Sequence, residues 1–418
     1  MVFDLRSSIN LLKKFFMNSE INKQNRMRTF IGAMITEFAL GSVYTWSLFN
    51  APLSKALHSP IKTVAFTFGL MSLALAIGSS VSGKIQDRFG ITKTTIAAGL
   101  ILGLSLIITS FAGNILMLYL FGGILVGLGD GIGYLMTLSN CVKQFPEKKG
   151  LISAFTIGAY GLGALGFKFI NNQLLIHEHM HMTFEIWGIL MIVLVAIGGL
   201  LMSDAPEVKS TVQAADGHSE EKHQFDLKEC LNQKSYWTLA LIFVTICMSG
   251  LYVIGVSKDI GEIYAHLSTA TATSAVAIVA AANLLGRLIL GVLSDKIKRI
   301  YTISIALIFA LIGIILILFV HLNPMLYWVS LSCMAFCFGG GITVYPSLVS
   351  DFFGLRNLTK NYGLIYLGFG IGSFIGSAVA SLFGGFIATF WLILSLLIIS
   401  LVLTFVVRAP KNPTVEVA

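Results

Sequence analysis

Charged side chains are scarce in this sequence. Asp, Glu, Lys and Arg make up 11% of its 418 residues, against roughly 25% in typical soluble domains. Hydrophobic residues reach 56%, and this composition excludes a soluble enzyme. Prolines are also few, 8 against 41 glycines, which fits closely packed membrane helices. The net charge of +8 therefore indicates membrane topology rather than nucleic-acid binding.

Cysteine and metal-ligand patterns are equally sparse. The five cysteines include no CxxC spacing, and we expect reduced thiols that pack as small apolar groups. Three histidines, His177, His179 and His181, are interpreted as part of a solvated loop, since no second ligand group accompanies them. We expect no metal site and no cofactor. An enzyme is not predicted, because no nucleophile, base and orienting group occur together.

Long apolar segments dominate what remains. About 20 apolar residues span the hydrocarbon of a bilayer as a helix, and twelve such segments occur, at 29–49, 64–83, 94–112, 115–138, 151–174, 184–202, 236–256, 270–293, 301–320, 325–348, 362–382 and 386–407. The predicted fold class is an all-α membrane protein with twelve transmembrane helices in two six-helix bundles.

The remaining stretches set the domain boundaries. We predict a cytoplasmic N-terminal segment at 1–28, an N-terminal bundle at 29–202, a linker at 203–235, a C-terminal bundle at 236–407 and a cytoplasmic tail at 408–418. The linker is acidic and is interpreted as a solvated tether. Both Met1 and Met17 are possible starts. Most lysines and arginines fall on the side of the N-terminus, so both termini are predicted to be cytoplasmic.

One pattern occurs twice, at matched positions of the two halves. A glycine is followed after four residues by an aspartate and then by basic residues, and we predict gating loops that contain Gly83, Asp87, Arg88, Gly291, Asp295 and Arg299. Such an internal repeat is typical of transporters built from two related bundles.

These loops resemble the signature loop of the major facilitator superfamily, over residues 17–408. Further segments resemble the oxalate/formate antiporter family, namely Gly41–Phe49, Phe145–Gly150, Asn283 with Gly286–Arg287, and Asn361–Gly363. Phe38–Trp46 and Tyr366–Ser373 resemble its enterobacterial branch, which is regarded as pyruvate:proton symporters. The resemblance implies two pseudo-symmetric bundles around a central cavity, in a bacterial inner membrane.

Three ionisable residues stand out near the middle of predicted spans: Glu37, Asp130 and Arg287. Such residues are costly in a membrane and mark functional sites. A guanidinium is always charged and offers two parallel donors to a carboxylate. The resemblance implies that Arg287 matches the helix-8 arginine that binds the substrate carboxylate in the oxalate exchanger. The alternative is a structural ion pair with Asp130 or a helix end.

The resemblance also contains a departure. The oxalate exchanger has a second cation, a lysine on helix 11, and the matching position here is Phe369. A dicarboxylate would be poorly neutralised by one cation, so this specificity position favours a monocarboxylate.

Asp130 lies among glycines at positions 127, 129, 131 and 133, where its carboxylate would be accessible. We interpret it as the proton-coupling residue, as a partner of Arg287 in the empty carrier, or as both. Glu37 is the second candidate for proton coupling, and the alternative is a protonated packing residue. Tyr44, Trp46 and Asn283 are predicted to line the cavity and orient a small anion, with helix packing as the alternative for each.

The predicted function is secondary active transport of a small monocarboxylate, with pyruvate as the first candidate, by proton symport and alternating access. The partners are the carboxylate anion, protons and membrane lipid, without nucleic acid, and the protein is predicted to be a monomer. Two alternatives remain: an anion exchanger of the oxalate/formate type, and a membrane sensor that binds a carboxylate without moving it.

Overall fold

The structure is a computed structural model that describes residues 24–177, 179–206, 223–382 and 386–410. Within these ranges all regular secondary structure is helical. Most of the predicted N-terminal segment with Met17, the middle of the linker at 207–222 and the end of the tail at 411–418 lie outside the described residues.

The first half of the chain contains six long helices. They are residues 24–56 (α1), with a 3-10 stretch at Gly41–Phe49, Ile61–Phe89 (α2), Ile91–Ser110 (α3), Ile115–Gln144 (α4), with a π-helical stretch at Leu118–Leu125, Lys149–His177 (α5) and Met180–Leu201 (α6).

The second half repeats this arrangement. Its helices are Lys234–Gly255 (α7), Thr269–Ser294 (α8), Arg299–Phe319 (α9), Pro324–Phe353 (α10), Leu358–Leu382 (α11) and Phe386–Val406 (α12). In the described residues, ten helices have the length and composition to cross a membrane, and α1 and α11 complete the predicted twelve.

Helix packing follows the same plan in both halves. In the first, α2 and α3 pack on α4, α3 packs on α6, and α5 packs on α1. In the second, α8 and α9 pack on α10, α9 on α12, and α11 on α7. The two bundles meet where α2 packs on α11 and where α5 packs on α8. The prediction of twelve helices in two pseudo-symmetric bundles is confirmed.

Several helices extend past the predicted hydrocarbon limits. The prediction ended the second span at residue 83, whereas α2 continues to Phe89 and stops at Gly90, whose φ of 77° is a left-handed conformation that favours glycine. Gly354, with φ of 90°, ends α10 in the same way. A helix can continue past the hydrocarbon into water. These two ends are therefore set by glycines with positive φ, and not by the end of the apolar segment.

Close backbone contact joins α1 to α5. A side chain at Gly41 would overlap the carbonyl group of Tyr160, and one at Gly163 would overlap the carbonyl group of Phe38. Glycine at both positions lets the two helices touch and fixes the position of Tyr160 relative to α1. These glycines are packing residues.

The described part of the linker differs from the predicted solvated tether. Phe225 is 2% exposed and its N–H donates to the carbonyl of Phe353 at 3.0 Å. The Gln224 side chain accepts from the N–H groups of Leu355 and Arg356. Gln224 and Phe225 are therefore bound to the C-terminal bundle, through backbone groups at the end of α10 and between α10 and α11. Hydropathy does not predict such contacts.

Candidate binding site between the two bundles

A small cavity lies between the bundles and is lined by both of them. The space open to the centres of water-sized molecules is about 20 Å³. The lining residues are Tyr44, Leu75, Tyr134, Ile157, Tyr160, Arg287, Phe338, Ile342, Tyr366 and Phe369. Arg287 is the one charged side chain among them, and six of the others are aromatic. A compact cavity with one cation and aromatic walls suits a small anion with an apolar part.

Arg287 bridges the two bundles. Its Nε donates to Oδ1 of Asn283, one turn earlier on α8, at 3.0 Å. Its Nη1 donates to the carbonyl oxygen of Ile157 on α5 at 2.6 Å. Within the described residues Nη2 has no protein partner. Two fixed contacts thus orient the guanidinium and leave donors for an anion in the cavity.

The predicted pairing of Arg287 with Asp130 in the empty site is not observed. Asp130 lies on α4, is fully buried and accepts a hydrogen bond at Oδ2 from the hydroxyl of Tyr160 at 2.8 Å. Among the described residues no ion pair joins the two. The carbonyl of Ile157 and the amide of Asn283 take the place of that carboxylate, and sequence patterns do not reveal contacts to a backbone carbonyl.

Two buried carboxyl groups lie near the cavity. Glu37 on α1 and Asp130 are both 0% exposed. In the part of the chain that the structure describes, three of their four oxygens have no hydrogen-bond partner: both oxygens of Glu37 and Oδ1 of Asp130. Glu37 interacts electrostatically with both Asp130 and Arg287. Because burying an unpaired carboxylate ion is costly, both groups are suited to carrying a proton.

The three residues predicted to orient a ligand have different positions. Tyr44 lines the cavity and is 37% exposed, with its ring against Tyr160 at 5.4 Å. Asn283 supports Arg287 instead, and its Nδ2 donates to the carbonyl of Ala335. Trp46 is outside the cavity lining: it is 0% exposed and packs against Phe184. In this structure Trp46 is a helix-packing residue, which was the alternative considered for it.

Phe369 lies in the cavity wall contributed by α11. Its ring stacks on Tyr366 at 5.4 Å and an interplanar angle of 5°. Tyr366 in turn contacts the ring of Tyr134 on α4 at 5.4 Å. The described lining residues of α11 are therefore two aromatic rings, without a second cation.

The sequence did not identify Tyr134, Tyr160, Phe338 or Tyr366 as lining residues. Two of them had a visible signal, since Tyr134 follows the glycines around Asp130 and Tyr160 lies between Gly158 and Gly161. A large side chain within a run of small residues on a membrane helix projects where neighbouring helices leave room.

One predicted gating loop caps a helix of the opposite bundle. Asp295, after α8, accepts hydrogen bonds from the backbone N–H groups of Gly150 and Leu151, both at 2.9 Å. These groups belong to the first turn of α5, where the helix dipole favours a negative charge. Gly291 lies at the same contact, where a side chain would meet the carbonyl of Gly150.

Ion pairs extend this contact into a four-residue group, called here the Asp295 cluster. Arg299 pairs with Asp295 at 2.8 Å and with Asp351 of α10 at 2.5 Å. Lys149 of α5 pairs with Asp351 at 3.0 Å. Because Lys149 belongs to the first bundle and the other three belong to the second, the cluster ties the bundles together at this end of the molecule, the latched end.

The other predicted gating loop makes weaker contacts at the latched end. Asp87 pairs with Lys360 of α11, and the side chain of Asp87 is 58% exposed. A side chain at Gly83 would meet the backbone of Lys360. Arg88 lies over the ring of Phe89 at 5.3 Å and is in no ion pair of the described residues. The two loops are thus alike in sequence and unequal in contacts.

Comparison with known proteins gives one family. The model described as Major Facilitator Superfamily matches residues 29–356 and 253–417. An uncharacterized MFS-type transporter of Escherichia coli K12, YhjX, is 55% identical over 84% of this chain and 86% of its own length. An oxalate:formate antiporter of Oxalobacter formigenes is 27% identical over 82% of this chain and 79% of its own. Apicoplast pyruvate carrier 1 of Toxoplasma gondii is 24% identical over 78% and 70%.

Solved structures give the same fold. A proton:xylose symporter, XylE, superposes with a TM-score of 0.71 at 14% identity, over 93% of this chain and 97% of its own. FucP, a transporter solved in an outward conformation, gives a TM-score of 0.68 at 12% identity, over 92% and 100%.

Proposed function

Because the chain belongs to the major facilitator superfamily, we propose that this multi-pass membrane transporter moves a small monocarboxylate, with pyruvate as the first candidate, together with a proton. The observation that carries the proposal is Arg287, the one charged side chain in the lining of a small aromatic cavity between the bundles. Its free donors fit one carboxylate.

The walls of the cavity favour one carboxylate over two. Phe369 and Phe338 place apolar surface where a second negative charge would need a partner, and an unpaired charge there would be costly. A methyl group, by contrast, is favourable against these rings. Two relatives are named for carboxylates, one as an oxalate:formate antiporter and one as a pyruvate carrier, which supports this substrate class.

Asp130 and Glu37 support the proton part of the proposal. Both are buried carboxyl groups with unpartnered oxygens in the described residues, and Glu37 interacts electrostatically with Arg287. An anion on Arg287 changes the charge that these groups experience, so anion and proton binding are linked. Asp130 is our first choice because its Tyr160 contact connects it to the cavity wall.

In the proposed cycle the bundles rock about the filled cavity. The latched end is closed here by the Asp295 cluster, and it opens when the bundles tilt the other way. We place the latched end and both termini in the cytoplasm of a bacterium, with the monomeric protein in the inner membrane. The excess of lysine and arginine on that side supports this orientation.

Transport assays in proteoliposomes test the function. Labelled pyruvate is expected to accumulate when the outside is made acidic, and a protonophore is expected to abolish the accumulation. Uptake that ignores the pH gradient but requires an internal anion would identify an exchanger instead. Pyruvate binding without counterflow would identify a sensor.

The unequal contacts of the two loops predict unequal effects on the latched end. Asp295→Ala is expected to increase the population with an open latched end about tenfold, because two charge-assisted helix-cap bonds and an ion pair are lost. Asp87→Ala is the matched control at the equivalent position, and its exposed pair predicts a change of about twofold or less.

Spin labels on the exposed positions Lys93→Cys and Lys298→Cys, in a background without native cysteines, would report the distance between the bundles. Equal shifts for both alanine variants would contradict the ranking.

A further inference from the structure

Tyr160 connects the cavity with the buried Asp130. It belongs to the cavity lining, and Asp130 does not. Its hydroxyl nevertheless donates to Oδ2 of Asp130 at 2.8 Å. A ligand in the cavity and a proton on Asp130 therefore have this one hydroxyl group in common.

The same face of α5 holds the guanidinium of Arg287. Ile157, whose carbonyl accepts from Arg287, is three residues before Tyr160, a rise of about 4.5 Å along the helix. Gly161 is on this face too, and a side chain there would come within 3.4 Å of Nη1 of Arg287. Arg287 and Tyr160 therefore meet the cavity at neighbouring turns of one face of α5, and both belong to its lining.

The ring of Tyr160 is held in place on both sides. Tyr44 contacts it edge-on at 5.4 Å and Tyr134 at 5.2 Å, and the side chain is 4% exposed. With the ring fixed, the remaining freedom is rotation of the hydroxyl hydrogen. A phenol has a single hydrogen to donate, so it serves Asp130 or a ligand, and not both.

Resting on the function proposed above, we propose that Tyr160 determines specificity for 2-oxo monocarboxylates and does so only when Asp130 is protonated. With Asp130 ionised, the hydroxyl donates to its carboxylate. With a proton taken up from water, the Asp130 carboxyl donates to the oxygen of Tyr160. The phenol hydrogen then turns to the cavity and donates to the 2-oxo oxygen of an acid whose carboxylate is on Arg287.

Other titratable groups surround Asp130, and none of them changes its hydrogen bonds in this proposal. The groups at the same depth are Glu37 and Tyr44 of α1, Tyr134 of α4, Arg287 of α8 and Tyr366 of α11. The charged residues of the other helices that pack around α4 lie away from this depth. At the latched end they are Lys84, Asp87, Arg88, Lys93, Lys149, Asp351 and Lys360, and towards the opposite end they are Lys62 of α2 and Lys168 of α5. Among the described residues, Tyr160 is the group that hydrogen-bonds to Asp130.

Pyruvate and propionate provide the test, because propionate has the same carboxylate and lacks the 2-oxo oxygen. Competition of each acid against labelled pyruvate counterflow is measured in proteoliposomes with equal pH on both sides, at one acidic and one alkaline pH. Wild-type protein is expected to prefer pyruvate at acidic pH and to lose part of this preference at alkaline pH.

Tyr160→Phe is expected to lower the preference for pyruvate at acidic pH by about tenfold, the worth of one hydrogen bond to a neutral carbonyl oxygen, with propionate binding unchanged. Tyr362→Phe removes a buried hydroxyl that is outside the lining and has no partner in the described residues, and it should match wild type. Asp130→Asn, with a permanently neutral side chain, should keep the pyruvate preference at both pH values.

A Tyr160→Phe protein with the wild-type melting temperature and an unchanged acid preference would overturn the inference and leave the proposed function intact. A pH-dependent preference in Asp130→Asn would also overturn it, and that result does not depend on the folding of Tyr160→Phe. Absence of any carboxylate counterflow in wild type would overturn the proposed function and this inference with it.

Discussion

Arg287→Lys is expected to raise the KM for pyruvate uptake by about ten- to a hundredfold, since a charge-assisted hydrogen bond to the carboxylate, about 1.5–3 kcal/mol, is lost. Lysine keeps the positive charge but is a point donor without the planar fork of arginine. Lysine also cannot donate to Oδ1 of Asn283 and to the carbonyl oxygen of Ile157 in the geometry that orients the guanidinium of Arg287. Initial rates of labelled uptake in proteoliposomes measure the effect.

The matched control is Arg356→Lys, the same exchange at an exposed position after α10. Its KM should equal that of wild type, because its backbone N–H, and not its side chain, makes the contact with Gln224. A wild-type KM in Arg287→Lys would contradict a role of Arg287 in substrate binding. Its remaining role would be to bridge the two bundles.

Asp130→Asn is expected to abolish accumulation of pyruvate driven by a pH gradient and to leave counterflow measurable. The amide has nearly the shape of the carboxyl group, and its Nδ2 can donate to the Tyr160 oxygen as a protonated carboxyl would, so packing is preserved. The amide cannot gain or lose a proton, so proton movement down the imposed pH gradient is no longer coupled to pyruvate transport. Accumulation and counterflow are compared in the same preparation of proteoliposomes.

Glu37→Gln is the control for this assignment, because Glu37 is equally buried and acts through space on the same groups. Accumulation should persist in Glu37→Gln if Asp130 carries the proton. The reverse pattern, with accumulation lost in Glu37→Gln and kept in Asp130→Asn, would transfer the role to Glu37.

The sequence predicts the helical architecture because bilayer thickness fixes the length of an apolar helix. The repeat around Asp87 and Asp295 added the two-bundle plan. Helix ends such as Gly90 and the binding of Phe225 to the second bundle were not predictable from hydropathy. They depend on backbone conformation and on hydrogen bonds to backbone groups distant in the chain.

The candidate site was predictable in its charges and less so in its neutral residues. Arg287, Asp130 and Glu37 stand out because ions are rare in apolar segments. Tyr160 and Tyr134 do not, because aromatic residues are common in membrane helices and their role depends on which face the packing selects. Trp46 and Tyr44, two residues apart, show this: one is packed among aromatic rings and the other lines the cavity.

The binding of both linker ends to the bundles has a consequence for how the halves are coupled. Ala205 donates to Asn140 in the first bundle, and Gln224 accepts from the second. Residues 206–223 connect these two contacts along the chain, and at up to about 3.5 Å per residue a chain of this length spans at most about 60 Å. A covalent connection raises the effective concentration of one half for the other. The two halves can then be treated as binding partners that meet in the contacts of α2 with α11 and of α5 with α8. In the proposed cycle, the strength of these contacts sets the relative populations of the states that open to each side of the membrane.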